Sequence, residues 1–242
     1  MRYANPSSSL ALQRIVPWLL RQSLRRAGPV LAVSIAAALL AACASMGGGK
    51  TGMSFFVTSA GPGNGANLGG MTGADKQCQA LASAVGAGSR TWRAYLSQQV
   101  TANVPAVNAR DRIGKGPWMN AKGVVVATDV EQLHGVNGLS KQTALTERGD
   151  GVNGGGDTPN MHDVLTGSQP NGMAITGDVN TTCGNWTQGG EGSAMVGHHD
   201  KTGLDESAPA KSWNSSHLTR GCSQDSLKAT GGAGLYYCFA AD

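Results

Sequence analysis

The sequence predicts an α+β domain with a small, mainly antiparallel sheet, one or two helices and long loops stapled by disulfides. Three observations carry this expectation. Strand-like segments stand at both ends of residues 53–242, and one amphipathic helix follows the first of them. The middle is polar and glycine-rich. Four cysteines, Cys78, Cys183, Cys222 and Cys238, are spread through the domain with no C-x-x-C spacing, which disfavours a zinc ribbon or a redox motif and favours cross-links.

Residues 1–42 read as an export signal. Arg2, Arg14, Arg21, Arg25 and Arg26 precede an apolar run over residues 30–40, with no acidic residue among them. That is a positive n-region followed by an h-region too short for a stable membrane span. The run closes on Leu40-Ala41-Ala42-Cys43, which resembles the lipobox of bacterial lipoproteins. The resemblance implies lipidation of the Cys43 thiol and a membrane anchor through its acyl chains, each buried CH2 contributing about 0.8 kcal/mol. Ala44, rather than Asp, follows the cysteine, which implies delivery to the outer membrane, facing the periplasm or the cell surface. Residues 43–52 form a glycine-rich tether.

Export also changes the charge. Five of the 19 Lys and Arg lie in residues 1–42 and none of the 15 Asp and Glu, so the remainder carries 14 − 15 = −1. The apparent basicity belongs to the signal and gives no bulk-charge argument for a nucleic-acid partner.

Within the domain, residues 53–60 (MSFFVTSA) have the β-branched and aromatic content of a strand and end in a turn cluster over residues 61–70. A helix is expected next, with Thr72 and Asp75 as a capping box. Cys78, Leu81, Ala82 and Val85 fall on one of its faces, and Ala87-Gly88 ends it. Residues 91–98 (TWRAYLSQ) alternate as a second strand with Trp92, Ala94 and Leu96 on one side. Residues 124–126 are strand-like. Residues 135–210 are dominated by Gly, Asn, Ser, Thr and Asp and read as long loops with short apolar islands, among them Ala194-Met195-Val196; loops of this length are usually functional or disordered. Residues 234–240 (GLYYCFA) form a closing aromatic strand. Trp92, Trp118, Trp186 and Trp213 are assigned to the core, because the domain has few other large apolar residues to bury.

The ordered set of Gly73-Ala74-Asp75-Lys76-Gln77-Cys78, Trp92-Arg93-Ala94-Tyr95-Leu96-Ser97, Asp111-Arg112 with Trp118, Gly167-Ser168-Gln169-Pro170-Asn171-Gly172, Cys183-Gly184-Asn185-Trp186, Cys222 and Tyr236-Tyr237-Cys238 resembles the C-type lectin-like fold, most closely its endostatin-like branch. The likeness covers residues 55–240. Counting alone leaves three pairings open for four cysteines; the resemblance implies Cys78 with Cys238 and Cys183 with Cys222. It also implies a non-enzymatic binding module for glycan or another extracellular surface ligand, with an enzyme on the same fold or a structural envelope protein as the alternatives.

In sugar-binding members of that fold, a proline-centred triplet and a Trp-Asn-Asp triplet supply oxygens to Ca2+. Here the matching residues are Gln169, Asn171, Asn214 and Ser215, beside Pro170 and Trp213. Calcium takes six to eight oxygen ligands. Ser215 stands where the pattern has Asp and Gln169 is neutral, so such a site needs a carboxylate from Asp163, Asp178 or Glu191. The endostatin branch's zinc ligands cluster at the start of its domain, where this chain has no His.

Other motifs carry less. Residues 44–51 (ASMGGGKT) fit a relaxed P-loop pattern without a preceding strand, and residues 61–66 (GPGNGA) fit G-x-G-x-x-A with Pro62 removing an N–H. His198-His199-Asp200 offers metal-ligand chemistry, but adjacent His side chains diverge in a strand, and a solvated loop is the expected setting. No G-x-S-x-G, H-E-x-x-H or lone reactive Cys appears, so no catalytic residue is assigned.

Overall fold

The computed structural model describes residues 52–242. The expected export signal over residues 1–42, the expected lipidation site Cys43 and the P-loop-like residues 44–51 lie outside the described residues. No helix among those described is long and apolar enough to cross a membrane.

The domain is α+β with a mainly antiparallel sheet. Its strands are β1 (Phe55–Val57), β2 (Trp92–Ala94), β3 (Trp118–Met119), β4 (Val125–Ala127), β5 (Asp163–Leu165), β6 (Met195–His198), β7 (His217–Leu218) and β8 (Gly232–Ala240). Its helices are α1 (Gly70–Ala84), α2 (Val130–His134) and α3 (Gln224–Thr230), with a 3-10 turn at Ala109–Asp111 and a short helical turn at Cys183–Trp186 that contains left-handed residues. The main sheet runs β1-β8-β5-β6-β7 with β2 also on β8, and β3 and β4 form a separate ribbon. Only β5 and β8 are parallel; every other pair is antiparallel.

The long closing strand organises the sheet because its sequence can be buried on both faces. Residues 234–240 of β8 are all buried, so apolar burial rather than alternation sets this strand. Phe55 and Tyr95 pack on Phe239 with ring centroids 4.9 and 5.8 Å apart, and Trp118 meets the same ring edge-on at 5.3 Å. Trp92, Trp118, Trp186 and Trp213 are all buried. Trp92 and Ala94 lie buried in β2 with Arg93 exposed between them, as period two requires.

Of the three possible pairings, the structure has Cys78–Cys238 and Cys183–Cys222. The first joins α1 to β8 across 160 residues and the second closes 39. In the chain-entropy account such loops contribute about 5 and about 4 kcal/mol.

Two local expectations are corrected. The helix starts earlier than the capping box, at a left-handed Gly69 with no side-chain cap. Asp75 faces inward instead: its Oδ2 accepts from Arg93 and Arg112 at 2.9 and 2.7 Å, and its Oδ1 accepts from the Ala94 amide at 2.9 Å. An ion pair to the neighbouring strand therefore outcompetes a helix cap. Residues 135–210 contain two strands, β5 and β6, within what reads as loop. Asp163-Val164-Leu165 is too short to show a period, and its partners lie 31 or more residues away in sequence.

The glycine pattern at 61–66 is no nucleotide cradle. The Ala66 amide donates to the Cys222 carbonyl at 2.8 Å and the Gly65 amide to Gln224 Oε1 at 3.2 Å, so this turn is occupied by the protein's own chain.

Candidate metal centre

The register of the sheet assembles a site that sequence spacing does not show. Asp163, the first residue of β5, lies directly opposite His198 in β6. His217 of β7 lies opposite Val196, two residues before His198 and hence on the same face. His162 precedes β5 and stacks on the His198 ring, centroids 4.2 Å apart and planes at 11°. The β5–β8 pairing is bulged between Asp163 and Val164, the kind of irregularity that re-aims a side chain. Gly197 is needed between Val196 and His198, because a Cβ there would lie 1.9 Å from the Trp213 carbonyl oxygen.

Four ligand atoms converge. Asp163 Oδ1 lies 3.3 Å from His162 Nε2, 3.3 Å from His198 Nε2 and 3.5 Å from His217 Nε2, and the two last nitrogens are 3.0 Å apart. Donors held about 2.0–2.1 Å from a tetrahedral zinc stand about 3.3 Å from one another. The four observed separations lie at 3.0–3.5 Å, near that edge, with Asp163 at their hub and His217 on the side of His198. The ligand atoms of His162, Asp163 and His198 all fall within 4.8 Å, and these three residues are buried or nearly so.

The hydrogen-bond pattern fixes which nitrogens face inward. His198 Nδ1 lies 2.7 Å from the Ala210 carbonyl and His217 Nδ1 lies 3.3 Å from that of Leu218. A carbonyl can only accept, so each of these Nδ1 atoms carries a proton, and each ring turns its Nε2 to the centre. His162 Nδ1 faces Asp200 Oδ1 at 3.5 Å. Asp200 is itself held by the amides of Gly155 at 2.6 Å and Thr202 at 3.1 Å. Outer partners of this kind orient metal-binding imidazoles. Gly154 keeps the approach open, since a Cβ there would sit 2.5 Å from Asp200 Oδ2.

Electrostatics point the same way. Both carboxylate oxygens of Asp163 are buried without a hydrogen-bond partner, a costly arrangement for an anion. Burial alone works to raise the Asp163 pKa, yet the closeness of His198 and His217 holds it below the usual carboxylate range. Asp163 in turn raises the pKa of His217. Burial also works to raise that of Asp200, but His162 and the two amides outweigh it and hold this carboxyl far below its ordinary value. The Asp163 carboxylate is thus held anionic among histidine nitrogens, a setting that a cation bound between them would also stabilise.

Three of these ligands, His162, His198 and His217, also line a cleft of about 450 Å3. Its other walls include Asn160, Thr202, Ser216 and the fully exposed Leu204.

The sequence-derived positions are distributed as follows. His198-His199-Asp200 is buried, which corrects its reading as a solvated loop. The side chains do diverge: His198 enters the centre, His199 Nε2 meets the Asn153 carbonyl at 3.0 Å, and Asp200 stands behind His162. Burial depresses the pKa of His199. The Pro170 and Trp213 triplets do come together, but not as a calcium cage. Asn214 is buried, and its Nδ2 donates to Tyr95 Oη at 2.9 Å and to the Gln169 and Pro170 carbonyls at 3.1 and 3.2 Å. Its Oδ1 accepts from Ser212 Oγ at 3.2 Å, Asn171 Oδ1 accepts from the Met173 amide at 3.1 Å, and Gln169 Nε2 donates to Ala174 at 2.8 Å. The Ser215 amide donates to Ser212 Oγ at 2.9 Å. A nitrogen rather than an oxygen of Asn214 faces the loop, so this is a latch between loops. Asp163 is committed to the histidines, and Asp178 and Glu191 are exposed.

Sequence reasoning missed His162, Asp163 as a histidine partner, and His217. They are 19 or more residues apart except for the adjacent pair, and no fixed spacing joins them. The one available signal was composition: all five histidines fall between residues 134 and 217, within or beside the region poorest in apolar residues. No known protein family and no curated protein matches the sequence.

Proposed function

We propose that the chain is an exported, lipid-anchored envelope protein whose domain is a non-enzymatic binding module organised about one divalent transition-metal ion, with zinc the best fit. The observation that carries this reading is the convergence of three imidazole nitrogens on Asp163 Oδ1 at tetrahedral-edge separations. Imidazole and carboxylate donors suit zinc, whereas calcium wants an all-oxygen shell. Four protein ligands close a tetrahedral shell, which is the pattern of metal held for structure or binding rather than for hydrolysis. The metal ties β5, β6 and β7 together at the edge of the loop region, and so presents that region to an extracellular ligand, glycan or protein.

The C-type lectin-like, endostatin-like assignment belongs to the same proposal. Its supports are the two disulfides, the pairing of the first and last strands, and the meeting of the Pro170 and Trp213 triplets. Export rests on the arginine-rich start, the apolar run and the lipobox-like Cys43.

Isothermal titration of the untagged, exported protein after dialysis against EDTA tests the reading. One zinc site per chain is expected, absent in Asp163→Asn and His198→Ala, with no comparable heat from calcium. Zinc binding of unchanged affinity in both variants would overturn it.

A further inference from the structure

The four ligands are not equivalent. Side-chain exposure is 2% for Asp163, 5% for His198, 12% for His162 and 38% for His217. His217 sits in β7, a two-residue strand at the edge of the sheet, with no strand beyond it among the described residues. Its outer partner is the carbonyl of its own neighbour at 3.3 Å, against 2.7 Å for His198 and Ala210. The ring is therefore the least constrained of the three, and it forms part of the cleft wall. A metal used only for structure is sealed on every side; this one would face a cleft of about 450 Å3, within the range of small-ligand sites.

Resting on the metal reading above, we propose that His217 is the exchangeable ligand and that the cleft binds a small monocarboxylate with an apolar substituent, its carboxylate coordinating the metal. Charge selects the class. A divalent ion with Asp163 and three neutral imidazoles carries one net positive charge, which one carboxylate neutralises. Asp205 also stands in the cleft wall, so a second negative charge on the ligand is disfavoured. Asn160 spends its Oδ1 on the His162 amide at 3.1 Å, which leaves its Nδ2 donors for a carboxylate oxygen. Ser216 lines the same wall. Leu204, fully exposed at the cleft, offers an apolar surface that gains by being covered. Zinc accommodates the newcomer either by releasing His217 or by expanding to five ligands.

Cobalt(II) reports on this directly, because its visible d–d bands depend on coordination number and ligand set. The exported protein is loaded with cobalt and titrated with N-acetyl-leucine, N-acetyl-leucinamide and acetate. The expected result is a tetrahedral spectrum that N-acetyl-leucine shifts saturably, acetate shifts with at least tenfold weaker affinity, and the amide leaves unchanged. His217→Ala is expected to retain cobalt with reduced affinity and to take N-acetyl-leucine more readily, while His198→Ala loses the spectrum. A tetrahedral spectrum that no carboxylate perturbs would overturn the exchange proposal and leave the metal centre standing. Equal shifts with the amide would overturn the carboxylate assignment. Absence of any cobalt spectrum in the wild-type protein would instead overturn the metal centre itself.

Discussion

Around β8, the rings of Phe55, Tyr95, Trp118 and Phe239 interlock and the Cys78–Cys238 bond closes the frame, so this region is stabilised by apolar burial and a long covalent loop. Across β5, β6 and β7 the contacts are of another kind. Asp163, His198 and Asp200 are buried, Asn214 latches two loops, and the inner disulfide pins a glycine-rich stretch. A chain with few large apolar residues can build one dense aromatic core, and it must hold the rest of its structure at a few polar or covalent points. The second region is therefore sensitive to the loss of single atoms in a way that the first is not.

The largest difference should come from the two disulfides. Cys78→Ala with Cys238→Ala is expected to cost up to about 5 kcal/mol in guanidinium unfolding and to weaken the whole domain. Cys183→Ala with Cys222→Ala should cost up to about 4 kcal/mol. Its loss of amide-exchange protection should be concentrated in residues 180–222 while β8 stays protected. A uniform loss of protection in the second variant would erase the distinction between the regions.

Metal comes next in size. Zinc at a hundredfold excess over its Kd should stabilise the protein by about 2.7 kcal/mol, as read from thermal or denaturant unfolding, and Asp163→Asn should abolish the gain. Tyr95→Phe gives the smallest effect. Its hydroxyl lies 2.7 Å from His134 Nε2 and accepts from Asn214 Nδ2 at 2.9 Å, so its removal should cost about 1 kcal/mol in the same unfolding assay. Burial pushes the Tyr95 pKa well up and depresses that of His134, and both shifts favour the neutral forms of this pair. The penalty of Tyr95→Phe should accordingly be the same at pH 7.5 and pH 8.5.

The two regions also differ in how far sequence revealed them. Cys78 and Ala82 on one face of α1, Trp92 and Ala94 in β2, and the aromatic run of β8 follow periodicity or burial within one element, and each could be read locally. Asp163 and His198 meet only because β5 and β6 pair in one register, and a shift of one residue would separate them. The Asn214 triplet was recognisable as a meeting point of two loops, but the orientation of its amide was not. That depends on Tyr95 and Ser212, which lie in different parts of the chain. The capping box failed for a similar reason, since Arg93 and Arg112 compete for Asp75 from outside the helix.

X-ray absorption at the zinc edge of the zinc-loaded protein tests the central claim most directly. The account predicts a shell of three imidazole nitrogens and one carboxylate oxygen at about 2.0–2.1 Å, with the outer-shell scattering that imidazole rings give. A shell containing sulfur, or one made mainly of water oxygens, would contradict it.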